Sequence, residues 1–306
     1  MAINPEAASG VYGAPPPALA TVPAGAAQYS PFVPGAAALE EAGWGTLASL
    51  VMLAPPGTAE RRCAMALALR ALQPGAPLIV LGPKDKGGSR IAKELETFGC
   101  EVQDQGRAHH RICHTMRPAA PVGLEAAIAA GAPRRVEALD LVTQPGLFSW
   151  DRIDPGSRQL VGALGALAGK GADFGCGTGF LARAALAQPK VTRLDLIDLD
   201  RRAIAAARIN VQDPRARFHW TDVRTAPELA DLDFVISNPP FHDGGTEDRA
   251  LGQAFIRRAH AVLRKGGRLW LVANRHLPYE GVLTPLFANV ELRDGRGGYK
   301  VYEARK

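Results

Sequence analysis

The second half of this chain alternates short apolar runs with amphipathic segments, and this alternation constrains the fold more than any other feature. The sequence predicts strands at 172–175, 193–198, 216–220, 232–237, 268–273, 288–292 and 299–304. It predicts helices at about 179–187, 200–211, 248–263 and 280–287. Such an alternation is typical of a doubly wound, mostly parallel sheet with helices on both faces. The final strand follows a Gly-rich turn at 295–298, which indicates an antiparallel terminal hairpin.

Size and composition predict a globular protein of the cytoplasm. The chain has 306 residues, of which 47% are hydrophobic and 22% charged, and this length can hold two domains. No apolar run approaches the roughly 20 residues that a membrane-spanning helix needs. The first ten residues, MAINPEAASG, lack the basic start and apolar core of a signal peptide. We therefore expect no membrane association.

The cysteines and histidines do not predict a metal site or a disulfide framework. Cys63, Cys100, Cys113 and Cys176 are scattered, with no CxxC pair. Histidines cluster at 109–114, where a basic, solvated strand explains them better than a set of metal ligands. We expect no bound metal.

The net charge of +6 and the pI of about 9.3 favour a polyanionic partner, either RNA or DNA. Such an excess is also common in enzymes that have no nucleic-acid role. The candidate basic patches are Lys84, Lys86, Arg90 and Lys93, the stretch 107–111, and Arg134 with Arg135.

The first half divides into a Pro-rich segment and an ordered region. Residues 1–45 are rich in Ala, Pro and Gly, with few large apolar side chains before Phe32, so we predict a flexible or loosely draped segment. Further on, the sequence predicts strands at 49–53 and 77–81, helices at 58–72, 88–98 and 122–130, and a linker at 131–133. The predicted domains are therefore 46–135 and 136–306.

An internal repeat connects the two halves. Residues 49–84 and 233–274 both run from a strand through Pro-Pro, a helix and a Gly turn to a second strand. The first copy has Ala54 where the second has Asn238, and Gly57 where the second has Phe241. It also lacks a glycine-rich loop upstream. We interpret it as a truncated copy of the same fold that has lost its chemistry; chance similarity between two αβ units is the alternative.

The motif Asn238-Pro239-Pro240-Phe241 directly follows the strand predicted at 232–237. Both prolines have a fixed φ and no N–H, so the loop cannot join a helix or a strand ladder. The side-chain carbonyl of Asn238 and a proline carbonyl offer two acceptors beside the ring of Phe241. This arrangement suits a planar substrate with an exocyclic NH₂ group. Taken alone, the motif could equally be a strand-to-helix turn.

A glycine-rich loop indicates where a cofactor binds. The sequence DFGCGTG, from Asp173 to Gly179, leads from a predicted strand into a predicted helix. Glycines there let the backbone approach a ligand closely at the carboxyl edge of the sheet. A GxGxG pattern alone would equally suit a dinucleotide. The candidate cofactor-binding residues of this loop are Asp173, Gly175, Cys176, Gly177 and Gly179.

Two later acids make the cofactor prediction more specific. Asp198 ends the second predicted strand, where a carboxylate can bind both hydroxyls of a ribose, and Leu199 follows it. Asp222, followed by Val223, comes after the third strand and is placed to accept from an adenine amino group. A nucleoside without a pyrophosphate explains why the full GxGxxG spacing is absent. The pattern indicates S-adenosylmethionine, with Asn238 as a further contact.

Three neighbouring polar residues have simpler explanations. Asp195 alternates with apolar residues, so we expect it on the solvent side of its strand. Asp200 fits the N-cap of the following helix. Cys176 suits a crowded turn because it is small, and we do not expect it to act as a nucleophile.

With the glycine loop, Asp198, Asp222 and the Asn-Pro-Pro-Phe motif in this order, the C-terminal half resembles class I S-adenosylmethionine-dependent methyltransferases. It most closely resembles the bacterial ribosomal RNA guanine-N2 methyltransferases of the small-subunit methyltransferase C type. The matching stretches are PGLFS (145–149), IDPGS (153–157), NPPFHDG (238–244), VANRHLPY (272–279) and GYKVYE (298–303). The resemblance spans about residues 141–306. It implies an α/β Rossmann-like fold with a seven-stranded, mostly parallel sheet and an antiparallel terminal strand, preceded by a degenerate, truncated copy.

The resemblance also implies an activity, namely methylation of the exocyclic N2 of a guanine in ribosomal RNA. Asn238 and the Pro239 carbonyl would orient the amine, and Phe241 would stack on the base. His242 and Asp243 are expected to position the substrate or cap the loop. Phe148 and Ser149 either wall the cofactor pocket or pack in the core.

Substrate and partner follow from the same resemblance. We expect an unpaired guanine in a loop of ribosomal RNA or of the small ribosomal subunit, modified by a monomer. Adenine-N6 and release-factor glutamine-N5 methyltransferases share an Asn/Asp-Pro-Pro-aromatic loop and are the alternatives. A binding module for S-adenosylmethionine or RNA without turnover is the alternative of another class.

Overall fold

The computed structural model describes residues 8–226, 229–240, 242–243, 246–247 and 249–306. The chain divides into two compact units. The first comprises the described residues up to Pro133 together with Gln144–Gly146, and the second comprises Arg134–Thr143 and Leu147–Lys306. In the described part of the chain, no helix has the length and apolar character needed to cross a membrane.

The first unit is built on a six-stranded sheet. Its strands are β1 (Ala8–Tyr12), β2 (Ala27–Gln28), β3 (Leu47–Leu53), β4 (Pro77–Pro83), β5 (Val102–Arg107) and β6 (His110–Met116). Its helices are α1 (Thr58–Ala71), α2 (Ile91–Glu96) and α3 (Leu124–Gly131). The strand order is β2-β1-β3-β4-β6-β5, and β6 runs antiparallel to both of its neighbours while the other pairs are parallel.

The prediction of a flexible segment over residues 1–45 is wrong where the structure describes it, because this segment supplies β1 and β2. β1 pairs in parallel with β3, and Val11 and Tyr12 are buried. The side chain of Gln28 bonds both backbone polar groups of Gly13 in the turn beside it. It donates to the Gly13 carbonyl at 2.8 Å and accepts from the Gly13 N–H at 3.1 Å. A neighbouring strand and one amide side chain therefore provide the order that the Pro- and Gly-rich composition does not reveal.

The second unit has eleven strands among the described residues, and seven of them form one large sheet. Its strands are β7 (Arg134–Val136), β8 (Leu141–Thr143), β9 (Gly169–Phe174), β10 (Val191–Asp198), β11 (Ala216–Trp220), β12 (Leu232–Ser237), β13 (His242–Asp243), β14 (Thr246–Glu247), β15 (Leu263–Asn274), β16 (Asn289–Asp294) and β17 (Tyr299–Arg305). Its helices are α4 (Pro155–Ala163), α5 (Phe180–Leu186), α6 (Arg201–Asn210), α7 (Arg249–Val262) and α8 (Glu280–Leu286). The large sheet has the order β11-β10-β9-β12-β15-β17-β16, with β17 antiparallel to both neighbours. All seven strands predicted for this sheet are confirmed; α4 and the short pairs β7-β8 and β13-β14 were not predicted.

The core of the second unit lies on both faces of its large sheet. Because side chains alternate along a strand, Leu196 and Ile197 of β10 belong to different apolar clusters. One cluster includes residues of α7 and α8, and the other includes residues of α4, α5 and α6. The doubly wound α/β prediction is confirmed.

The two sheets have the same topology apart from one strand. When the edge strand β11 is left out, the second order matches the first position by position, with β10, β9, β12, β15, β17 and β16 equivalent to β2, β1, β3, β4, β6 and β5. The parallel and antiparallel pairs match as well. The first unit therefore has the fold expected of a truncated copy, and the segment thought to be flexible contains two of its strands.

Candidate active site

A cleft opens at the carboxyl ends of β9 and β12 in the second unit. Its walls include the glycine loop after β9, Asn238 after β12, and residues between β8 and α4. In a parallel α/β sheet, this edge is where the loops that bind ligands converge.

The glycine loop has the backbone conformation that its sequence predicts. Gly175, Gly177 and Gly179 all have positive φ, at 72°, 52° and 87°, which other L-residues adopt at a cost. The Gly175 N–H donates to the Ile197 carbonyl at 2.9 Å, which joins the loop to β10. A Cβ at Gly179 would lie 2.7 Å from Val211, whereas one at Gly177 would meet no described atom within 4 Å. The backbone of Gly177 thus faces open space in the wall of the cleft.

Asp198 connects the glycine loop to the start of α6. One carboxylate oxygen accepts from the Gly177 N–H and the other from the Asp200 N–H, both at 2.9 Å. Burial raises the pKa of Asp198 to about 6, and these two N–H donors oppose the rise. Asp200 caps α6 by accepting from the Arg202 N–H at 2.9 Å, which confirms its predicted role.

Asp173, near the end of β9, is a fully buried carboxylate. Neither of its oxygens has a hydrogen-bond partner among the described residues. Burial raises its pKa to about 8, and the charge of Asp198 adds to the rise. The Ala182 N–H opposes the rise without reaching hydrogen-bond geometry. A buried, unpaired acid of this kind is costly and suits a cationic group of a ligand.

Cys176 behaves as a small packing residue. It is buried, and its thiol donates weakly to the Gly177 carbonyl at 3.8 Å. Burial raises the pKa of the thiol well above its usual value, and the charges of Asp198 and Asp173 raise it further. The thiol is therefore protonated at neutral pH, which does not suit a nucleophile.

In the described part of the chain, no group of three His, Cys, Asp or Glu side chains could hold a metal ion.

Asn238 lines the cleft and has a hydrogen-bond acceptor without a partner among the described residues. β12 ends at Ser237, whose hydroxyl donates to the Phe174 carbonyl at 2.8 Å and fastens β12 to β9. The Nδ2 of Asn238 donates to Asp154 Oδ2 and to Ser157 Oγ, both at 2.9 Å. The amide oxygen Oδ1 is buried and has no hydrogen-bond partner among the described residues. The side-chain carbonyl is thus left unused by the described residues, and its predicted role toward a substrate amine stays a prediction.

Asp154 and Ser157 are functional candidates that the sequence analysis missed. Asp154 is the N-cap of α4, where its Oδ2 also accepts from the Ser157 N–H at 2.7 Å. Pro155 occupies the first turn of the helix. An Asp followed by Pro is a known signal for a helix start, so the cap could have been predicted. The contact to Asn238 could not, since 81 or more positions separate the partners.

Phe148 and Ser149 belong to the wall of the cleft. The side chain of Phe148 is 60% exposed, and Ser149 has a positive φ of 48°. Of the two alternatives that the sequence left open, the structure supports the pocket wall over core packing for this aromatic ring.

Of the predicted cofactor residues, four line this cleft, namely Gly175, Cys176, Gly177 and Asn238. The others are not among its lining residues, namely Asp173, Gly179, Asp198, Leu199, Asp222 and Val223. The carboxylate of Asp222 is held by the side chain of Arg224, with an Nη2–Oδ2 distance of 2.6 Å, and this pairing lowers its pKa. Val223 is buried in the core, and the Leu199 carbonyl accepts from the Trp220 indole N–H at 2.9 Å.

The prediction for Asp195 is wrong. This side chain is buried rather than on the solvent side, and it pairs with Arg193 of the same strand, β10, and with His219 of β11, each at 2.8 Å.

Part of the Asn-Pro-Pro-Phe motif lies outside the described residues. Pro239 is buried and Pro240 is exposed. Phe241 is not among the described residues, and the side chains of His242 and Asp243 are not described either.

Comparison with known proteins gives consistent matches. The sequence model of the methyltransferase small domain matches residues 138–303. Ribosomal RNA small subunit methyltransferase C of Shewanella piezotolerans is 32% identical over 243 residues, which are 77% of this chain and 70% of that protein. The protein of the same name from Shewanella loihica is 29% identical over 269 residues, which are 85% of this chain and 78% of that protein.

A solved structure is similar over most of the chain. It is the T. thermophilus 16S rRNA N2 G1207 methyltransferase in complex with AdoMet and guanosine. The TM-score is 0.75 at 28% identity, and the match covers 88% of this chain and 76% of that one.

Proposed function

Because the chain belongs to the ribosomal RNA small subunit methyltransferase C family, we propose that it transfers a methyl group from S-adenosylmethionine to the exocyclic N2 of a guanine in small-subunit ribosomal RNA. The related T. thermophilus enzyme, in complex with AdoMet and guanosine, supports both the cofactor and the base. In this chain, the observation that carries the proposal is the buried Oδ1 of Asn238, which has no hydrogen-bond partner in the part of the chain that the structure describes. It is the acceptor that an amino group requires.

The residues of the glycine-loop region fit S-adenosylmethionine, which supplies an electrophilic methyl group. The buried acid of Asp173 suits the ammonium of the methionine part, because it has no hydrogen-bond partner among the described residues. A cation beside it would favour its charged form. Gly177 leaves room for a ligand against the backbone. The oxygens of Asp198 each accept one N–H and keep a lone pair for a ribose hydroxyl.

The residues proposed for the adenine end of the cofactor site are assigned from the sequence alone. Asp222 would accept from the adenine amino group through lone pairs that the Arg224 contact leaves available, and Leu199 and Val223 would flank the ring. Gly175, Cys176 and Gly179 shape the loop that contacts the rest of the cofactor.

The acceptor side needs alignment more than acid or base chemistry. Asn238 Oδ1 would accept one hydrogen of the guanine amine and the Pro239 carbonyl the other, which turns the nitrogen lone pair toward the methyl group. S-adenosylmethionine would supply the methyl group to this nitrogen, and the amine would release a proton to water. Pro240 stiffens the loop. Phe241 would stack on the base, a contact worth about 1–3 kcal/mol.

The substrate and setting follow from this chemistry. A guanine whose amine must reach the cleft has to be unpaired, so an RNA loop or an incompletely assembled small subunit is the expected target. We propose that the protein acts in the cytoplasm as a monomer and without a metal ion.

Methylation with a labelled cofactor tests this function. The purified protein is incubated with S-adenosylmethionine carrying a ¹³C-methyl group and with small-subunit RNA, either naked or in particles. The RNA is then digested, and the nucleosides are separated and identified by mass spectrometry. We expect labelled N2-methylguanosine, formed about a hundredfold more slowly with an Asn238→Ala variant. Label in N6-methyladenosine, or in the glutamine of an added release factor, would show that the amine is another one. Cofactor binding without any transfer would indicate a binding module.

A further inference from the structure

The side-chain amide of Asn238 has two orientations of nearly equal shape. Rotation by 180° about its last torsion exchanges the oxygen and the NH₂ group. Only one orientation offers an acceptor to the substrate amine. In the other orientation, the N–H groups of Asn238 would face the N–H groups of the substrate amine, which would then have no acceptor.

The NH₂ group of Asn238 is fully occupied by contacts within the protein. Its two hydrogens have two acceptors, Asp154 Oδ2 and Ser157 Oγ, each at 2.9 Å. Asp154 and Ser157 are both about nine-tenths buried, with 9% of each exposed. Water therefore has little access to replace either contact.

The two acceptors are not equivalent. A serine hydroxyl can rotate to accept or to donate, so Ser157 alone would tolerate either orientation of the amide. A carboxylate only accepts. If the amide turned over, Oδ1 would lie against the Asp154 carboxylate with no hydrogen between the two oxygens. Asp154 is thus the member of this network that allows one orientation only.

The start of α4 holds the Asp154 carboxylate in place. The same Oδ2 caps the helix by accepting from the Ser157 N–H at 2.7 Å. Gly156 lets the neighbouring groups approach, since a Cβ there would lie 2.9 Å from the Tyr299 ring and 3.1 Å from Asp154 Oδ2. In Asp-Pro-Gly-Ser, the first residue caps, the second begins the helix, the third makes room and the fourth supplies the second acceptor.

We propose that Asp154 is a positioning residue that, with Ser157, fixes the Asn238 amide so that its carbonyl faces the substrate amine. The role rests on the proposed methyl transfer and specifies how its acceptor is oriented. Asp154 itself acts through Asn238.

Substitutions at residue 154 can separate this role from helix capping. Asp154→Ser keeps a capping oxygen but has a shorter side chain, so α4 should be retained while the contact to Asn238 is lost. We expect kcat to fall by about tenfold to a hundredfold, with the S-adenosylmethionine Kd and the unfolding midpoint near the wild-type values. Asp154→Asn keeps an oxygen at the Oδ2 position and should recover most of the rate. Ser157→Ala should lose only about threefold, since a single neutral hydrogen bond is removed.

Two outcomes would overturn the proposal. One is full kcat in Asp154→Ser; the other is a loss of kcat matched by an equal loss of cofactor affinity and of stability, which would indicate capping alone. The rate is measured on whichever product the wild type forms, so an unexpected product would count against guanine N2 and leave the test of Asp154 intact.

A nuclear magnetic resonance measurement tests the orientation without turnover. The side-chain NH₂ signals of Asn238 can be assigned by their disappearance in Asn238→Ala. In the wild type they should exchange slowly with solvent, because both hydrogens are bonded, and in Asp154→Ser they should exchange faster. Equal exchange in both proteins would contradict the proposed contact.

Discussion

The loop after β3 in the first unit and the loop after β12 in the second occupy equivalent positions in two sheets of the same order, and both contain two consecutive prolines. After β12, Asn238 leaves an acceptor without a partner among the described residues. After β3, Ala54 supplies no side-chain acceptor, and the proline carbonyls are already occupied. Nη1 of Arg61 donates to the Pro55 carbonyl at 3.2 Å and to the Pro56 carbonyl at 2.6 Å.

The first unit thus fills its own sheet edge with a guanidinium group. Arg61 is fully buried, and its Nε and Nη2 both donate to the Glu94 carboxylate at 2.7 Å. Gly87 makes room, since a Cβ there would clash with Nη1. Carbonyl groups exposed at such an edge require N–H donors. In one unit a side chain of the chain itself supplies them, and in the other we propose that the substrate amine does.

The largest expected effect comes from breaking the internal pair of the first unit. Arg61→Met leaves the Glu94 charge buried and two carbonyls without donors, so the first unit should lose about 3–5 kcal/mol of stability. Hydrogen exchange of the β3 and β4 amides measures this loss locally. Adding Glu94→Leu should recover much of it, because the unpaired charge is then gone. A stability loss below about 1 kcal/mol in Arg61→Met would contradict this role. It would mean that Arg61 and Glu94 do not supply the contacts that a ligand would otherwise make at this sheet edge.

The reverse comparison converts the second loop into the first. Asn238→Ala creates Ala-Pro-Pro, and without its acceptor the amine is misplaced, so kcat should fall by about a hundredfold. S-adenosylmethionine affinity should change far less, as measured by calorimetry. Asn289→Ala is the matched control, because that exposed side chain bonds only Glu291 among the described residues, at 2.7 Å. A drop in both variants, or in neither, would contradict the role of Asn238.

Sequence patterns predicted the second unit better than the first, for physical reasons. Strands such as β10 and β12 contain enough buried apolar residues to be recognised alone, whereas β1 is ordered mainly by its pairing with β3. α4 has two glycines and a proline in nine residues, so its helix propensity is low. It is held by its cap and by Leu160, which is buried in the core.

The candidate site was predictable only where its signal is local. Positive φ at Gly175, Gly177 and Gly179 follows from residue type and spacing. The contact between Asn238 and Asp154 joins distant positions, so no spacing rule indicates it. A contact between near neighbours can also be missed. Arg224 follows Asp222 by two positions and donates to its carboxylate, yet the sequence does not reveal this pairing.

The second unit should also show a pH dependence that originates at its buried acid. The pKa of Asp173 is about 8, above its ordinary 3.8, so the folded state binds a proton that the unfolded state releases. The resulting stability is complete below pH 3.8 and is lost as the pH rises through about 8. Between these values the unfolding free energy should fall by up to about 1.4 kcal/mol per pH unit from this group.

Asp173→Asn isolates this contribution, because an amide does not titrate. Urea unfolding followed by the fluorescence of Trp150, Trp220 and Trp270, all in the second unit, compares the variant with the wild type from pH 5 to 9. The variant should gain relative stability toward pH 9. A difference that is constant across the range would show that Asp173 does not bind a proton on folding.

The smallest effect separates backbone strain from ligand contact. Gly177 in the second unit and Gly75 in the first both have positive φ, at 52° and 76°. A Cβ at either would meet nothing within 4 Å among the residues that the structure describes. Alanine should therefore cost each about 1–2 kcal/mol of stability through the same left-handed strain. Only Gly177→Ala places a methyl group in the wall of the cofactor cleft. It should weaken S-adenosylmethionine binding by about fivefold, or about 1 kcal/mol, in calorimetry, while Gly75→Ala leaves the Kd unchanged. Equal affinities in the two variants would mean that the loop bends as predicted but that the cofactor does not lie against it.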